Sequence, residues 1–474
     1  MNWIRKYGVE CAFGLVLGLW LGLRLTGFNG LYGQDSHTYF HYALAIRNYL
    51  KGGSHPGAFF WPVMYPLIGA LASWFTVHTA AVMQMVSMMA FAVVITLVVQ
   101  LIPKIHKTTG PPVQLYVILT LLFAPYFMRA SLFVMSDMTA TAFFMLALDR
   151  RIRFYTSGRS LDIWLAGAFA MAAVCTRLPV AVLLAPLLLM QVGTGATEWK
   201  VKHVAGVILA AVLVALPQWW FNRSGPVVQS HELLQEWSPF NLFKNTFDAT
   251  GRMQYTVPNG MYMLSVFGHA GYLMIGVPLL PFLRKKDFSK RPANWLWFSV
   301  ILYVVFLGGI PFQNQRFFVL AFPVVVLLFY PAFTRAWNWF SQMAGLRVFG
   351  CVVLLLLQFA LFAYSFSSFV RYCREEKQAA TEVIRLVPPG HTLYVFGMQP
   401  ALTTYGVKNP MTDIWQDDIG IVQPGDFLLL NGDVFSSQWA GQNPMRHWQE
   451  IKDQFELDHV NASLAEGWIL YEIR

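Results

Sequence analysis

Long apolar runs separated by short polar or basic turns recur along most of the 474 residues. A helix needs roughly 17 to 25 apolar residues to cross a hydrocarbon core of about 30 Å. On that basis the pattern predicts spans near 9–27, 80–102, 113–127, 133–149, 162–177, 178–193, 203–221, 261–283, 294–311, 317–333 and 348–370, about eleven in all. The fifth and sixth meet at Thr176 to Pro179, where a proline marks a corner in what otherwise reads as one long helix. The first run begins after MNWIRKYG, has no A-x-A site and is followed by many more runs, so it reads as an uncleaved span.

The basic residues give an orientation. Arg5 and Lys6, Lys104 and Lys107, Arg150 to Arg159, Lys200 and Lys202, Arg284 to Arg291, and Arg335 with Arg347 all fall on one side if the N-terminus is cytoplasmic. The other side then carries a long first loop (28–79), the short loop with Asp137, a loop at 222–260, the segment QNQRF and everything after Val370. In the first loop SHTYFHYALAIRNYLKGG has helical spacing and a Gly-Gly stop, which predicts an amphipathic helix along the membrane surface. WPVMYPLIGALASWF is short for a span and is expected to dip into the interface.

From Arg374 the composition changes. REEKQAATEVIRLVPPG reads as a helix closed by Pro-Pro-Gly, and HTLYVFGM, DFLLLN and WILYEI read as strands. The expected architecture is an α-helical polytopic membrane domain over 1–372, with loop helices in 28–79 and 222–260, and a small extracytoplasmic α/β domain over 373–474.

Composition agrees: 56% of residues are hydrophobic and 12% charged, about half the charged share of a soluble protein. The net charge of +10 lies in short clusters between apolar runs and carries no nucleic-acid motif, so nucleic-acid binding is not expected. The four cysteines are scattered and form neither a disulfide framework nor a metal-ligand spacing. Short cytoplasmic loops and a compact outer domain suggest a bacterial inner membrane.

Chemistry concentrates on the outer side, where ATP and nucleotide sugars are normally absent, so a lipid must deliver any activated substrate. Asp35 follows the first span, with Tyr39 and Tyr42 one and two helical turns further on. Asp137 stands at the outer mouth of the fourth span. Each also reads as a helix N-cap, and that role is compatible with catalysis. Two acids from separate loops can converge as a base and a supporting acceptor. Arg177 at the outer corner and Arg316 at the start of the tenth span suit phosphate binding or snorkelling, while Arg24 reads as snorkelling or structural. His37, His41, His55 and His231, with Glu232 and Glu236, show no metal spacing and are expected to face solvent.

The motifs GQDSHTYFHYALAI, FFWPVMYPLIGALASWF, MSDMTATAFFMLAL, CTRLPVAVLLAP and NQRFFVLAFPVVVLL, in that order, resemble the GT-C superfamily of polytopic glycosyltransferases that use polyprenyl-phosphate sugars. That group includes protein O-mannosyltransferases and lipid A aminoarabinose transferases. The resemblance implies that Asp35 is the first-loop catalytic aspartate and Asp137 the acid of the second outer loop. Arg177 or Arg316 would hold the donor phosphate, and Tyr39, Tyr42, His55 and Tyr65 are candidates for the substrate pocket. Two departures stand out: the usual K-P-P-L-Y-W motif reads FWPVMYP with no lysine, and Asp35 is followed by Ser36 rather than a second acid. The implied activity is inverting transfer of a sugar from a polyprenyl-phosphate donor to a hydroxyl of a lipid, glycan or protein acceptor. No cofactor is expected, and a divalent metal is not favoured. A lipid-linked glycan flippase or a glycan ligase is the alternative, although the chain shows neither two related halves nor matched broken helices.

Overall fold

The computed structural model describes residues 2–107, 113–189, 200–223, 236–247, 254–289, 292–311, 313–340, 342–431 and 442–474. Its helices in the membrane part begin with α1 (Asn2–Leu25), α2 (Gly33–Leu50), α3 (Met64–Ala72) and α4 (Thr79–His106). They continue with α5 (Val113–Val117, extended by a π-helical turn to Leu122), α6 (Pro125–Ser131), α7 (Asp137–Ser157), α8 (Ser160–Val174), α9 (Val180–Leu189) and α10 (Val201–Asn222). The last three are α11 (Ala293–Gly308), α12 (Phe322–Trp339) and α13 (Ala344–Leu386).

Among the described residues three helices, α4, α10 and α13, are long and apolar enough to cross a membrane, and α5 with α6 forms a fourth candidate bent by 77°. Shorter apolar helices lie at Phe13–Leu25, α8 and α11. The eleven apolar runs therefore do not appear as eleven full-length helices. The break between α5 and α6 falls at Ala124 and Pro125, where the chain is extended before proline opens the next helix. The run 261–283 forms no single helix but short pieces such as Ser265–Gly268 and Gly276–Leu279. Gly276 shows why: a Cβ there would lie 1.6 Å from the Phe267 carbonyl oxygen, so the chain folds tightly back on itself.

α12 runs through the centre, and every residue from Phe318 to Tyr330 is buried. A helix that is apolar all round belongs inside. Pro331 lacks the N–H that the Leu327 carbonyl would otherwise accept. His106 Nε2 donates to that oxygen at 2.7 Å instead.

The first loop folds on this helical body. Val63 and Phe59 N–H donate to the side chains of Gln218 and Asn222 on α10. The segment Leu132–Ser136, which leads into α7, is clamped from two sides. Gln84 Nε2 donates to the Leu132 carbonyl (2.8 Å), Ser87 Oγ to Met135 (3.2 Å), and Val134 N–H to Gly30 (2.8 Å).

α13 continues without interruption past residue 373 into the C-terminal part, which adds α14 (Gln399–Thr404), α15 (Asn443–Gln454) and a five-stranded sheet. The strands are β3 (Leu393–Val395), β4 (Met411–Asp413), β5 (Phe427–Asn431), β6 (Leu457–His459) and β7 (Trp468–Ile473), after an antiparallel pair of β1 (Asn245–Phe247) and β2 (Gln254–Pro258) that follows α10. Their order is β4-β3-β5-β7-β6, with β3 parallel to β4 and β5, and β7 antiparallel to β5 and β6. Ala379, Ala380 and Val383 of α13 pack on one face with α14, and Ile451 of α15 packs on the other.

Gly30 has φ +85°, and a Cβ there would lie 2.9 Å from Gln84 Cδ, a side chain held by the clamp. Gly30→Ala is expected to cost about 1–3 kcal/mol, read as a lower Tm of the solubilised protein. An unchanged Tm would mean that the clamp yields freely.

Candidate active site

Asp35 lies in the first turn of α2 and does not cap it. Glu376 from α13 takes that role: its Oε1 accepts from Gly33 N–H (3.1 Å), while Oε2 lies 3.4 Å from Nε2 of the buried His37. A carboxylate is favoured at the positive end of a helix. With the helix end satisfied by Glu376, the Asp35 carboxylate turns to Arg316, Nη2 to Oδ2 2.5 Å. Arg316 sits in the 3-10 turn Gln315–Val319, whose start is capped by the Asn314 side chain accepting from Arg316 N–H (3.1 Å). Tyr303 OH donates to Phe317 O (2.8 Å) and Tyr272 OH to Gln315 O, so both flanks of the turn are pinned.

Asp137 opens α7, again without capping it. Arg177, at the turn between α8 and α9, places Nε 2.9 Å from Asp137 Oδ1. Tyr39 joins the two acids. It stands one turn beyond Asp35, and its hydroxyl shares a 2.9 Å hydrogen bond with Ser136, the residue before Asp137. Burial pushes the Tyr39 phenol well above its ordinary pKa, so it stays a neutral bridge. Burial works against the charge on Arg316, but the Asp35 and Asp137 carboxylates outweigh it and hold the guanidinium well above its ordinary value. Arg316 Nη1 also reaches Met135 Sδ (3.4 Å), and its Nε is buried with no hydrogen bond.

The two ion pairs differ in access. Arg316 and Asp35 are 20% and 23% exposed, against 9% and 2% for Arg177 and Asp137. An incoming molecule can therefore meet Asp35, whereas Asp137 is sealed behind its arginine.

Four of the residues expected from sequence, Asp35, Asp137, Arg177 and Arg316, thus form two coupled pairs with Tyr39 between them. Tyr65 lies behind Tyr39 (ring centroids 5.4 Å apart), its hydroxyl donating to Met83 O (3.0 Å). Tyr42 and His55 belong to the loop's own packing: Tyr42 stacks on Phe59 at 4.0 Å and donates to Gly57 O, and His55 Nδ1 accepts from Gly57 N–H. The expectation that the histidines face solvent fails for His37, which is fully buried against Glu376, and for His41, which is partly buried and bonded to Pro400 O (3.1 Å). Folding the C-terminal part onto α2 buries them. His231 and Glu232 lie outside the described residues. Among the described residues no group of three or more His, Cys, Asp or Glu is placed to hold a metal ion. Glu376 was not among the expected residues, because in REEK it looks like any solvated charge.

No family model and no curated protein matches the sequence. Solved structures do match. ArnT from Cupriavidus metallidurans bound to undecaprenyl phosphate aligns over 96% of this chain and 97% of that one, with TM-score 0.60 and 13% identity. The chain shares the fold of that protein. The same protein in the apo state gives TM-score 0.54 at 14% identity over 97% and 98% of the two chains. The Archaeoglobus fulgidus oligosaccharyltransferase tethered with an acceptor peptide gives 0.52 at 12% identity, over 87% of this chain and 64% of that one. In this fold the two acids stand where the segment after α1 meets the start of α7.

Asp137→Asn strands the buried Arg177 charge and is expected to cost about 3–5 kcal/mol. The double variant D137N/R177Q should recover part of that in thermal unfolding. Equal melting of wild type and D137N would show that the buried pair is not needed for folding.

Proposed function

We propose that this protein is an inverting glycosyltransferase that moves a sugar from a polyprenyl-phosphate donor to an acceptor hydroxyl at the extracytoplasmic membrane face, with Asp35 as general base. The observation that carries this reading is the partly exposed Asp35–Arg316 pair, a base and an anion-binding fork side by side. Support comes from the fold shared with ArnT, which has been crystallised with undecaprenyl phosphate, and with an oligosaccharyltransferase tethered with an acceptor peptide.

A sugar on a lipid phosphate already carries a good leaving group, so the enzyme has three tasks: deprotonate the acceptor, support oxocarbenium-like charge and neutralise the departing phosphate. The acceptor oxygen attacks the anomeric carbon, and its proton passes to Asp35. The bond from that carbon to the phosphate oxygen breaks with its electron pair leaving on the phosphate. One displacement inverts the centre.

Arg316 is the better candidate of the two predicted arginines for the phosphate. Arg177 is committed to the sealed Asp137, whereas Arg316 is partly open and its buried Nε has no partner. A guanidinium offers five donors, and a phosphate can take two of them at once. When the donor's phosphate engages Arg316, its hold on Asp35 loosens and the carboxylate becomes available as a base. Asp137 and Arg177 act from behind, setting Ser136 and therefore Tyr39 in place.

Asp35→Asn should lower transfer from a radiolabelled polyprenyl-phosphate sugar into membrane-extract acceptors by about 10²–10⁴-fold, with little change in Tm. Full turnover by D35N would reject the assignment, and movement of the labelled lipid across the bilayer without sugar transfer would favour a flippase.

A further inference from the structure

A third arginine lies beside this site. Arg129, on α6, places its guanidinium over the rings of Tyr126 (4.6 Å) and Phe369 (4.4 Å), and Nη1 donates to Ser365 Oγ (2.9 Å). That is one of five donors. Among the described residues no carboxylate pairs with it, and the Tyr126 and Phe369 rings face its charge. The residue as a whole is partly exposed.

Its position ties it to the catalytic residues. α6 packs against the turn that carries Arg316. Tyr272, which contacts the Tyr126 ring at 5.5 Å, donates to Gln315 O next to Arg316. Tyr32, just before the helix of Asp35, lies edge-on to Phe369 at 4.5 Å. Phe133, Phe366 and Phe28 extend the aromatic surface from there.

Charge counting makes Arg129 stand out. Arg177 and Arg316 are matched by Asp137 and Asp35, which leaves Arg129, among the described residues, as one positive charge without an acid beside aromatic rings. Cation–π contact offsets roughly 1–2 kcal/mol of such a cost, well short of the burial penalty for an unpaired ion. An anion with an apolar tail satisfies both the cation and the rings.

We propose that Arg129 binds the phosphate of the polyprenyl-phosphate donor together with Arg316, with the surrounding rings receiving the first isoprene units. This rests on the glycosyltransferase reading above.

The test measures binding of undecaprenyl phosphate and of undecaprenol to the full-length protein and to Arg129→Gln and Arg129→Lys. Wild type and R129K should prefer the phosphate at least tenfold over the alcohol. R129Q should lose that preference at least tenfold while undecaprenol affinity stays the same. Unchanged phosphate preference in R129Q overturns the proposal, as does an equal loss for both lipids, which marks a structural role only. If R129Q does not fold, R129K decides: it keeps the charge but breaks the planar stack, so loss of phosphate preference in it counts against anion binding. Wild type that does not distinguish phosphate from alcohol sinks the donor reading itself, whereas wild type and R129Q that prefer the phosphate equally sink only the role of Arg129.

Discussion

A charge held among apolar helices must be matched, and the region around Asp35 and Asp137 is organised around that demand. Arg177 seals Asp137, Arg316 holds Asp35, and Tyr39 with Ser136 fixes the distance between the two pairs. Each arginine sits at a point where the chain has just turned, at the corner before Pro179 or in the 3-10 turn after Asn314. Regular helix at either place would aim the guanidinium elsewhere. The clamp on Leu132–Ser136 follows from the same demand, because that segment must present Ser136 to one pair and Asp137 to the other.

One face of α13 holds the other side of the arrangement. Ser365 and Phe369 touch Arg129, Cys373 Sγ donates to Leu31 O (2.8 Å), and Glu376 caps the helix of Asp35. These residues recur every three or four positions, so they share one helical stripe. This long helix is thus also the scaffold for the segment after α1. Its unbroken passage across residue 373 makes the C-terminal part a support for Asp35: α14 presents Pro400 and Thr404 to His41, and Thr404 to His37.

Much of this was legible from residue patterns. Asp35, Asp137, Arg177 and Arg316 stood out because ionisable residues are rare beside apolar runs, and the surface helix appeared in the spacing of its aromatic residues. Three strands of the C-terminal sheet, β3, β5 and β7, followed from apolar and aromatic runs between turns. Hydropathy alone misjudged the run 261–283, since it counts Gly276 and Pro278 as compatible with an apolar segment while backbone geometry does not. Glu376 and the buried histidines were hidden for another reason. Their partners lie more than 300 residues away in sequence, and a charged run such as REEK carries no local sign of which carboxylate turns inward. Arg129 was hidden too, because its partners are rings rather than an acid.

The proposed displacement gives the pairing of charges a direction. Before the donor binds, Asp35 is an anion held by Arg316, and the donor's phosphodiester brings one further negative charge that competes for the guanidinium. Proton transfer neutralises Asp35 while the leaving phosphate becomes a monoester whose second ionisation falls near pH 6, about neutral conditions. Negative charge therefore moves from the carboxylate to the phosphate, and Arg316 can follow it without leaving an ion unpaired. Asp137 cannot exchange partners in this way, since its arginine is as buried as it is. The partly open pair is suited to catalysis because its partnership is breakable, and the sealed pair to support because its partnership is not.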